Sequence, residues 1–404
     1  MASGAESGGR AAAPPASVGF MVLLVAMTAL APLSMQIFVP ALPAIQHGYG
    51  VPTGVAQLAL SLSILASAIA TLSYGPLSDR FGRRPVVLGG LGLFVAGSVM
   101  CAWAPTIEFL IVGRILQLGG GAAGMVMARA IVRDLYERDQ AAAMIAYLTM
   151  AMVVAPMLAP TVGAILMELS DWRAIFVALT VVGVMLAWSA WRRLLETQAG
   201  AGSSASGTLL AGAGRLLRSP AFIGYVLQSS FMMATFFAFV AGAPYFMIDV
   251  LGRSAAEYGL YFMMASIGYM AGNFTAARVT RRVGLDRMIV LGSSLAFAGT
   301  VLILGLLSLL SWSPLLLFVP MLLVSFASGL ATPNAIAGAI SIDPTLAGTA
   351  SGVTGFSQML CAALVSQAVG MLQNGTPYPM VGFMAGCAAL ALAGFLLPRW
   401  WGAR

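Results

Sequence analysis

The chain has 404 residues, of which 60% are hydrophobic and only 8% are charged, and its mean hydropathy is +0.94. A soluble globular protein carries about 25% charged residues. A chain this apolar has too little polar surface to face water on all sides, so the composition excludes a sizeable soluble domain and indicates a protein whose solvent is largely lipid.

Twelve apolar stretches follow one another along the chain. Each is close to the roughly 20 apolar residues that a helix needs to cross the hydrocarbon core. In chain order they are predicted near residues 19–39, 55–74, 85–103, 109–128, 141–167, 174–191, 221–247, 258–277, 288–312, 314–340, 347–372 and 378–397. Because a lipid-exposed strand cannot satisfy its backbone groups outside a closed barrel, these stretches are predicted to be helices. The predicted fold is an all-α polytopic membrane protein with twelve transmembrane helices.

These stretches fall into two pseudo-symmetric six-helix halves. A segment rich in Gly, Ala and Ser separates the sixth stretch from the seventh. The predicted organisation is a disordered N-terminus at 1–17, a first half at 18–195, a linker at 196–219, a second half at 220–398 and a tail at 399–404. Parallel halves with a substrate site at their interface, near the bilayer midplane, are a known transporter architecture.

The basic residues, all of them Arg, are distributed unevenly among the loops. Loops on one side of the predicted bundle contain all but three of the 20 basic residues, namely Arg10, Arg80, Arg83, Arg84, Arg129, Arg133, Arg138, Arg192, Arg193, Arg215, Arg218, Arg278, Arg281, Arg282, Arg287, Arg399 and Arg404. The opposite side contains only Arg173 and Arg253. The positive-inside rule then predicts that both termini and the linker are cytoplasmic. The net charge of +7 follows from this asymmetry, so it does not indicate nucleic-acid binding.

The turn after the second stretch has an unusual pattern of Gly, Asp and Arg. Its sequence, GPLSDRFGRR, occupies 75–84, and a weaker echo without the acid occupies 272–284, after the eighth stretch. The first Gly permits close approach of a neighbouring helix, the second permits a tight turn, and the Asp can accept hydrogen bonds from the N-terminus of a facing helix. We predict a conformational switch here; the alternative is a positive-inside anchor with a turn. The residues are Gly75, Asp79, Arg80, Gly82, Arg83 and Arg84.

The fifth stretch contains Pro156, Pro160 and Gly163. Each proline removes a backbone donor and bends the helix, and the glycine permits close packing beside the bend. Fixed kinks of this kind suit a helix that must rock, although proline is also common in ordinary membrane helices.

Arg114 is the one charge predicted at membrane depth, where an ionisable group is costly and marks a functional site by default. Gln117 lies one turn away on the same face. With Gln36 and Asn334 these residues are predicted to form a polar cluster facing a central cavity. The alternative is a structural Arg that caps backbone carbonyls between helices. Weaker candidates for the substrate pathway are Tyr225, Gln228 and Gln358.

Enzyme and cofactor signatures are missing from the sequence. There is one histidine, His47, no His/Cys cluster for a metal, no disulfide pattern among the three cysteines and no phosphate-binding Gly-Lys-Ser/Thr loop for ATP. No acidic residue falls inside a predicted span, whereas an intramembrane transferase would need buried acid–base groups. We therefore expect a transporter without cofactor or metal, and keep the transferase as the alternative class.

Several strings together resemble one transporter family. They are FVPALPAI at 38–45, GPLSDRFGRR at 75–84, RILQLGGGAA at 114–123, ARAIVRDLY at 128–136, APMLAP at 155–160, DWRAIF at 171–176 and PNA at 333–335. The chain resembles the Bcr/CflA drug-export branch of the major facilitator superfamily over nearly its whole length. The resemblance implies a monomer in the bacterial inner membrane that exports varied small molecules against an inward proton flow. It also implies that Asp79 faces the eleventh helix and that the Pro/Gly motif belongs to an antiporter.

One position departs from that family. An Asp usually precedes the span-one Pro-Ala-Leu-Pro motif, and this chain has Gln36 there. Gln36 cannot titrate, and Arg114 stays protonated. We therefore expect neutral or anionic substrates, poor export of lipophilic cations, and proton coupling that is weak or routed through an acid at a helix end. A metabolite or sugar-type permease of the same fold is the alternative function.

Overall fold

The computed structural model describes residues 18–197 and 212–402. The N-terminus at 1–17, which was predicted to be disordered, and most of the predicted linker at 196–219 lie outside the described residues. Within these residues the chain forms twelve long helices, with bounds α1 Val18–Tyr49, α2 Thr53–Phe81, α3 Arg83–Ala102, α4 Ile107–Leu135, α5 Arg138–Leu169, α6 Arg173–Arg193, α7 Pro220–Val250, α8 Ala255–Val283, α9 Leu285–Leu309, α10 Pro314–Ser341, α11 Ala347–Met371 and α12 Tyr378–Gly402.

Two of these helices contain local breaks. α1 is interrupted by a 3-10 turn at Val39–Ala41, where Pro40 cannot donate a backbone hydrogen bond. α7 ends in a π-helical turn at Phe246–Val250. A π-turn is rare and frequently occurs at functional sites.

The predicted all-α fold with twelve transmembrane helices is confirmed, with one difference in detail. Eleven of the described helices are both long and apolar enough to cross a membrane. α8 has 29 residues but contains Glu257, Asn273 and three Arg near its end, which lower its hydropathy. It packs against α10 and α5, so protein surrounds much of it and its polar residues need not face lipid.

The two halves share the same pair of glycines, one in a turn between two helices and one at a close helix–helix contact. Gly82 joins α2 to α3 and Gly284 joins α8 to α9, and each has φ of 94°. Such a positive φ strains any residue with a Cβ. Eight residues later in each half, Gly90 and Gly292 lie where a Cβ would come within 2.9 Å and 2.7 Å of a backbone oxygen of α4 and α10. This repetition is the structural basis of the weak sequence echo.

The helices of each half cross closely through small residues. Lipid provides no hydrophobic drive for helix association, so close van der Waals packing has to supply it. Gly97 of α3 is one such contact, because a Cβ there would lie 2.5 Å from the backbone oxygen of Gly113 of α4. Gly92 on the same helix has no atom within 4 Å of an added Cβ.

This contrast gives a matched test of the packing. We expect Gly97→Ala to destabilise the protein by about 1–3 kcal/mol, because the methyl group must push two backbones apart. Gly92→Ala should leave stability unchanged or slightly raised. Thermal unfolding of the two purified variants in detergent measures the difference, and equal Tm values would show that the α3–α4 crossing is not tight.

Candidate functional site

The halves are joined at one end by hydrogen bonds between α2 and α11. Gln57 Nε2 donates to Ser366 Oγ at 2.7 Å, and Ser61 Oγ donates to Gln367 Oε1 at 2.7 Å. Gln367 Nε2 donates to the backbone oxygen of Gly54 at 2.9 Å. We call these five residues the α2–α11 clasp, and the end of the molecule that contains them the closed end.

The clasp is buried because glycine allows the helices to meet. Gln57 and Ser366 are fully buried, and a Cβ at Gly370 would lie 2.6 Å from the Cβ of Gln57. A neutral hydrogen bond contributes about 0.5–1.5 kcal/mol net, and leaving one partner buried and unsatisfied costs about 1–3 kcal/mol. Three such bonds can hold the end closed and still be exchanged for water when it opens.

A second contact between the halves lies between α5 and α8. Thr161 Oγ1 donates to the backbone oxygen of Gly259 at 3.0 Å. An added Cβ at Gly259 would lie 3.3 Å from the backbone oxygen of Pro160, and one at Gly163 would overlap the backbone oxygen of Ile37 in α1. The predicted Pro/Gly motif therefore lies where α5 touches both α1 and the other half, and Pro156 lies one turn earlier in the same helix.

A third contact at the closed end joins α1 to α7. His47 Nε2 lies 3.9 Å from Asp249 Oδ1, in the π-helical turn. The His47 side chain is 63% exposed. An exposed pair of this kind contributes little to stability, so the clasp and the α5–α8 contact carry most of the closure.

Toward the opposite end, which we call the open end, the described residues form no hydrogen bond or ion pair between the two halves. Leu72 of α2 faces Gly352 of α11, with 3.5 Å between its side chain and an added Cβ, yet Leu72 is 44% exposed. On α5, Tyr147 and Met150 are 48% and 58% exposed. The described bonds between the halves are therefore confined to the closed end, and side chains of α2 and α5 at the other end are partly exposed.

Arg114 is fully buried inside the first half. Its Nη1 donates to the backbone oxygen of Ser34 at 3.2 Å and to Gln117 Oε1 at 2.6 Å. Its guanidinium lies 4.3 Å from the ring centroid of Phe38, a cation–π contact. Gln117 Nε2 in turn donates to Ser98 Oγ at 2.8 Å. Arg114 thus links α1, α3 and α4, and the predicted Arg114–Gln117 pairing is present.

The predicted central cluster of Arg114, Gln117, Gln36 and Asn334 remains a prediction, since the described hydrogen bonds join only Arg114 and Gln117 among these residues. Arg114 directs its described bonds into the first half, to the backbone oxygen of Ser34 and to Gln117, and lies over the ring of Phe38. Asn334 of α10 donates to the backbone oxygen of Leu330 in its own helix at 2.7 Å. Gln36 is 2% exposed, and its Oε1 has no hydrogen-bond partner among the described residues. The structural alternative, an Arg that caps a carbonyl between helices, describes the geometry better.

The weaker pathway candidates fall in different places. Tyr225 donates to Asp286 Oδ1 at 2.9 Å, at the start of α9, and Gln228 Nε2 donates to Ser293 Oγ at 3.1 Å. Both bonds lie within the second half. Gln358 of α11 is 6% exposed, and its Nε2 has no partner among the described residues. Four of the predicted pathway residues therefore keep buried polar atoms without a described partner: Gln36 Oε1, Gln228 Oε1, Gln358 Nε2, and Nε and Nη2 of Arg114.

At the open end, the Arg83 side chain forms hydrogen bonds that connect several helix ends of the first half. It donates to Asp79 at 2.8 Å and to Asp134 at 3.1 Å, and so joins α2, α3 and α4. The Glu196 carboxylate accepts from the backbone N–H groups of Arg83 and Arg84 at 2.8 Å and 3.2 Å. These are free donors at the N-terminus of α3, which favours an anion.

Two details of the predicted switch motif need correction. α2 continues through Phe81, so the motif is mostly helical and turns only at Gly82. Gly75 does not serve close packing, because an added Cβ there would meet no atom within 4 Å. Gly82 does make the predicted turn, and it also leaves room for the carboxylate of Glu196. Arg80 lies over the ring of Phe81, 5.2 Å from its centroid.

The end of the linker attaches to the second half at the open end. Arg215 forms an ion pair with Asp343, in the connection between α10 and α11. The Thr345 hydroxyl donates to the same carboxylate at 2.6 Å. This bond, more than the charge of Arg215, holds the pKa of Asp343 below its ordinary value. Among the described residues no group of His, Cys, Asp or Glu could hold a metal ion.

Comparisons with known proteins agree with this architecture. A sequence profile described as Major Facilitator Superfamily matches residues 24–366. The chain is 30% identical to a chloramphenicol resistance protein of Pseudomonas aeruginosa over 92% of this chain and 88% of the relative. It is 29% identical to multidrug resistance protein D of Escherichia coli over 95% of both chains. A crystal structure of the peptide transporter POT in complex with sulfate has a TM-score of 0.75 at 14% identity and covers 97% of both chains, which shows the fold.

The geometry of Arg114 gives a stability prediction. We expect Arg114→Lys to lower Tm about as much as Arg114→Ala, because an ammonium cannot bond Ser34 and Gln117 while lying flat on Phe38. The loss should correspond to about 1–3 kcal/mol per bond left unmade. Arg192→Lys, at an exposed Arg over Trp188, is the control. An Arg114→Lys variant as stable as the wild type would refute a role for the planar guanidinium group of Arg114.

The clasp gives a prediction about opening. We expect Gln57→Leu to open the closed end more often, since it leaves Ser366 without its partner. A reporter cysteine at Val369, which is fully buried, in a background without Cys101, Cys361 and Cys387, should then react with a polar maleimide about tenfold faster.

Ser63→Ala is the control for that experiment. Ser63 lies on the same helix, but its hydroxyl bonds only backbone oxygens of α2. Equal labelling rates in the Gln57→Leu and Ser63→Ala backgrounds would show that the clasp does not hold the end closed.

Proposed function

Because the chain belongs to the Major Facilitator Superfamily, it is a membrane transporter, and we propose that it exports small drug-like molecules across the bacterial inner membrane by alternating access. The observation that carries the proposal is the 30% identity to a chloramphenicol resistance protein over 92% of this chain. The similarity to multidrug resistance protein D supports the same substrate class. The likeness to a peptide transporter is confined to the fold.

The geometry supports the transport cycle. The halves are bonded through α2–α11, α5–α8 and α1–α7 at the closed end, and the described residues make no such bond between them at the other end. Placing the Arg-rich loops inside, by the positive-inside rule, turns the open end and both termini toward the cytoplasm. The conformation is then the one that receives substrate from the cytoplasm. Opening the clasp and closing the opposite end would release it outside.

Each half then moves as one unit, 18–195 against 220–398, with 196–219 as the cytoplasmic connection. Arg83 of α3 hydrogen-bonds Asp79 of α2 and Asp134 of α4 and so holds these three helix ends together. Glu196, which follows α6, bonds the N-terminus of α3. When the open end closes, α11 approaches α2 at the Asp79 level, where the N-terminus of α11 favours an anion. We assign the switch role to Asp79 and Arg83, with Gly82 as the rigid joint.

The substrate class follows from the charges. Arg114 is fully buried in the first half, where only its Nη1 is bonded, and its Nε and Nη2 have no described partner. Gln36 Oε1 and Gln228 Oε1 remain as neutral acceptors and Gln358 Nε2 as a neutral donor. Lipophilic cations find no carboxylate among these groups. We propose neutral or anionic substrates, bound by hydrogen bonds and by the apolar walls of the cleft.

Proton coupling in this chain requires an acid at a helix end, because Gln36 cannot titrate. Asp249 is the best candidate, since it lies in a π-helical turn and spans the two halves to reach His47. Protonation of Asp249 would remove its attraction to His47, a small bias added to an end that the clasp and the α5–α8 contact hold closed. We propose that coupling is weak or runs through Asp249, in a transporter that works as a monomer surrounded by lipid.

Efflux assays test the substrate class. In a bacterial host that lacks its own pumps, we expect the chain to lower chloramphenicol accumulation several-fold and to leave ethidium accumulation within about twofold of the empty control. A protonophore should reduce chloramphenicol efflux only in part. Gly163→Leu, which forces a side chain into α1, is the inactive control at matched membrane abundance.

Two outcomes would contradict the proposal. Strong, protonophore-sensitive ethidium efflux would show that a carboxylate reaches the pathway. Unchanged drug accumulation together with faster uptake of a sugar or metabolite would identify a permease in place of an exporter.

A further inference from the structure

Two arginines of α4 lie one helical turn apart near its open end. Arg129 and Arg133 are both exposed, in contrast to the fully buried Arg114 on the same helix. The membrane topology alone would place basic residues at this depth. It does not determine which side of α4 they occupy.

The packing of α4 shows which side that is. A Cβ at Gly120 would lie 2.5 Å from the backbone oxygen of Gly90 in α3, and one at Gly124 would lie 3.2 Å from the Cβ of Met27 in α1. These glycines lie on the faces of α4 that pack against α3 and α1 of the same half. At about 100° per residue, Arg129 points about 180° away from Gly120 and about 140° away from Gly124.

Arg129 therefore faces away from the core of the first half, toward the space that separates the halves at the open end. Its Nη2 lies 3.0 Å from the sulfur of Met152 on α5. Arg133 points about 180° away from Gly124 by the same geometry. Both guanidinium groups thus border the cleft through which a substrate from that end would pass.

The pair lacks a compensating charge. Among the described side chains, no carboxylate lies within 4 Å of either guanidinium, and the nearby Asp134 is bound to Arg83. Like charges four residues apart on a helix repel each other. A site that holds two unpaired guanidinium groups at the mouth of a cleft binds carboxylate, sulfonate or phosphate groups well.

We propose that Arg129 and Arg133 form a recruitment site for anionic small molecules at the open end. The proposal rests on the proposed export function and names the acidic members of its substrate class. Charged residues at a cleft mouth raise the local concentration of an oppositely charged ligand and its rate of association. The site therefore lowers the KM for anionic substrates. It does not take part in the later steps of the transport cycle, so it leaves kcat unchanged.

The test uses purified protein in vesicles, with carboxyfluorescein as the anionic probe and chloramphenicol as the neutral probe. We expect Arg129→Gln and Arg133→Gln each to raise KM for carboxyfluorescein about tenfold, the low end of electrostatic steering. kcat for the dye, and both constants for chloramphenicol, should stay within about twofold. Arg129→Lys should restore the low KM, because a point charge suffices here.

Arg192→Gln is the matched control, since Arg192 is exposed at the same side but lies over Trp188 of its own helix. An anionic lipid headgroup is the other source of this chemistry. Vesicles with and without phosphatidylglycerol distinguish the two, because a small-molecule site gives the same KM ratio in both.

Failure of the inference is separable from failure of the export function. Chloramphenicol transport with no carboxyfluorescein transport by the wild type would overturn the recruitment site alone. So would a KM for the dye that ignores Arg129→Gln, or an effect that appears only with phosphatidylglycerol. Absence of chloramphenicol transport in every sample would instead remove the export proposal.

Discussion

The structure depends on the contact between α2 and α11 at the closed end. Helices in lipid gain little from apolar burial, so their association relies on close packing and on hydrogen bonds. The clasp uses both, because Gly370 brings the backbones together and Gln57, Ser61 and Gln367 bond across the gap. Neutral bonds are well suited to this place. They are strong enough to bias the halves toward closure, and no charge has to be desolvated each time the end closes.

Contacts within the first half are stronger than the neutral hydrogen bonds that join the two halves. Within the first half, glycines seat α3 on α4, Arg114 ties the broken end of α1 to α4, and Arg83 ties three helix ends together. Buried charges that are fully surrounded resist rearrangement, because removing one partner leaves an uncompensated charge. Strong contacts inside each half and fewer contacts between them make rigid-body rocking the easiest motion of the molecule.

The fold was largely predictable from the sequence. Length and hydropathy of the apolar stretches located the helices, since only a helix satisfies its own backbone in lipid. The exceptions have local causes. α2 runs seven residues past its predicted end because the polar GPLSDRF segment continues the helix into the interface. α8 is too polar to stand out by hydropathy alone, and it is held by its protein neighbours.

The site was only partly predictable. The Pro/Gly motif of α5, the Gly82 turn and the Arg114–Gln117 pair could be read from spacing along one helix. The clasp could not, because Gln57 and Ser366 lie more than 300 residues apart and each looks like an ordinary polar residue in an apolar helix. The direction of Arg114 was also hidden, since its partner Ser34 lies 80 residues away on another helix.

The central claim is that closure of one end is coupled to opening of the other. Spin labels measure both in the same preparation, one pair at Pro52 and Leu372 beside the clasp and one pair at Leu77 and Gly348 at the open end. On addition of chloramphenicol we predict a second population in which the first distance is longer and the second is shorter. A first distance that stays fixed while the second changes, or two distances that lengthen together, would contradict alternating access around this clasp.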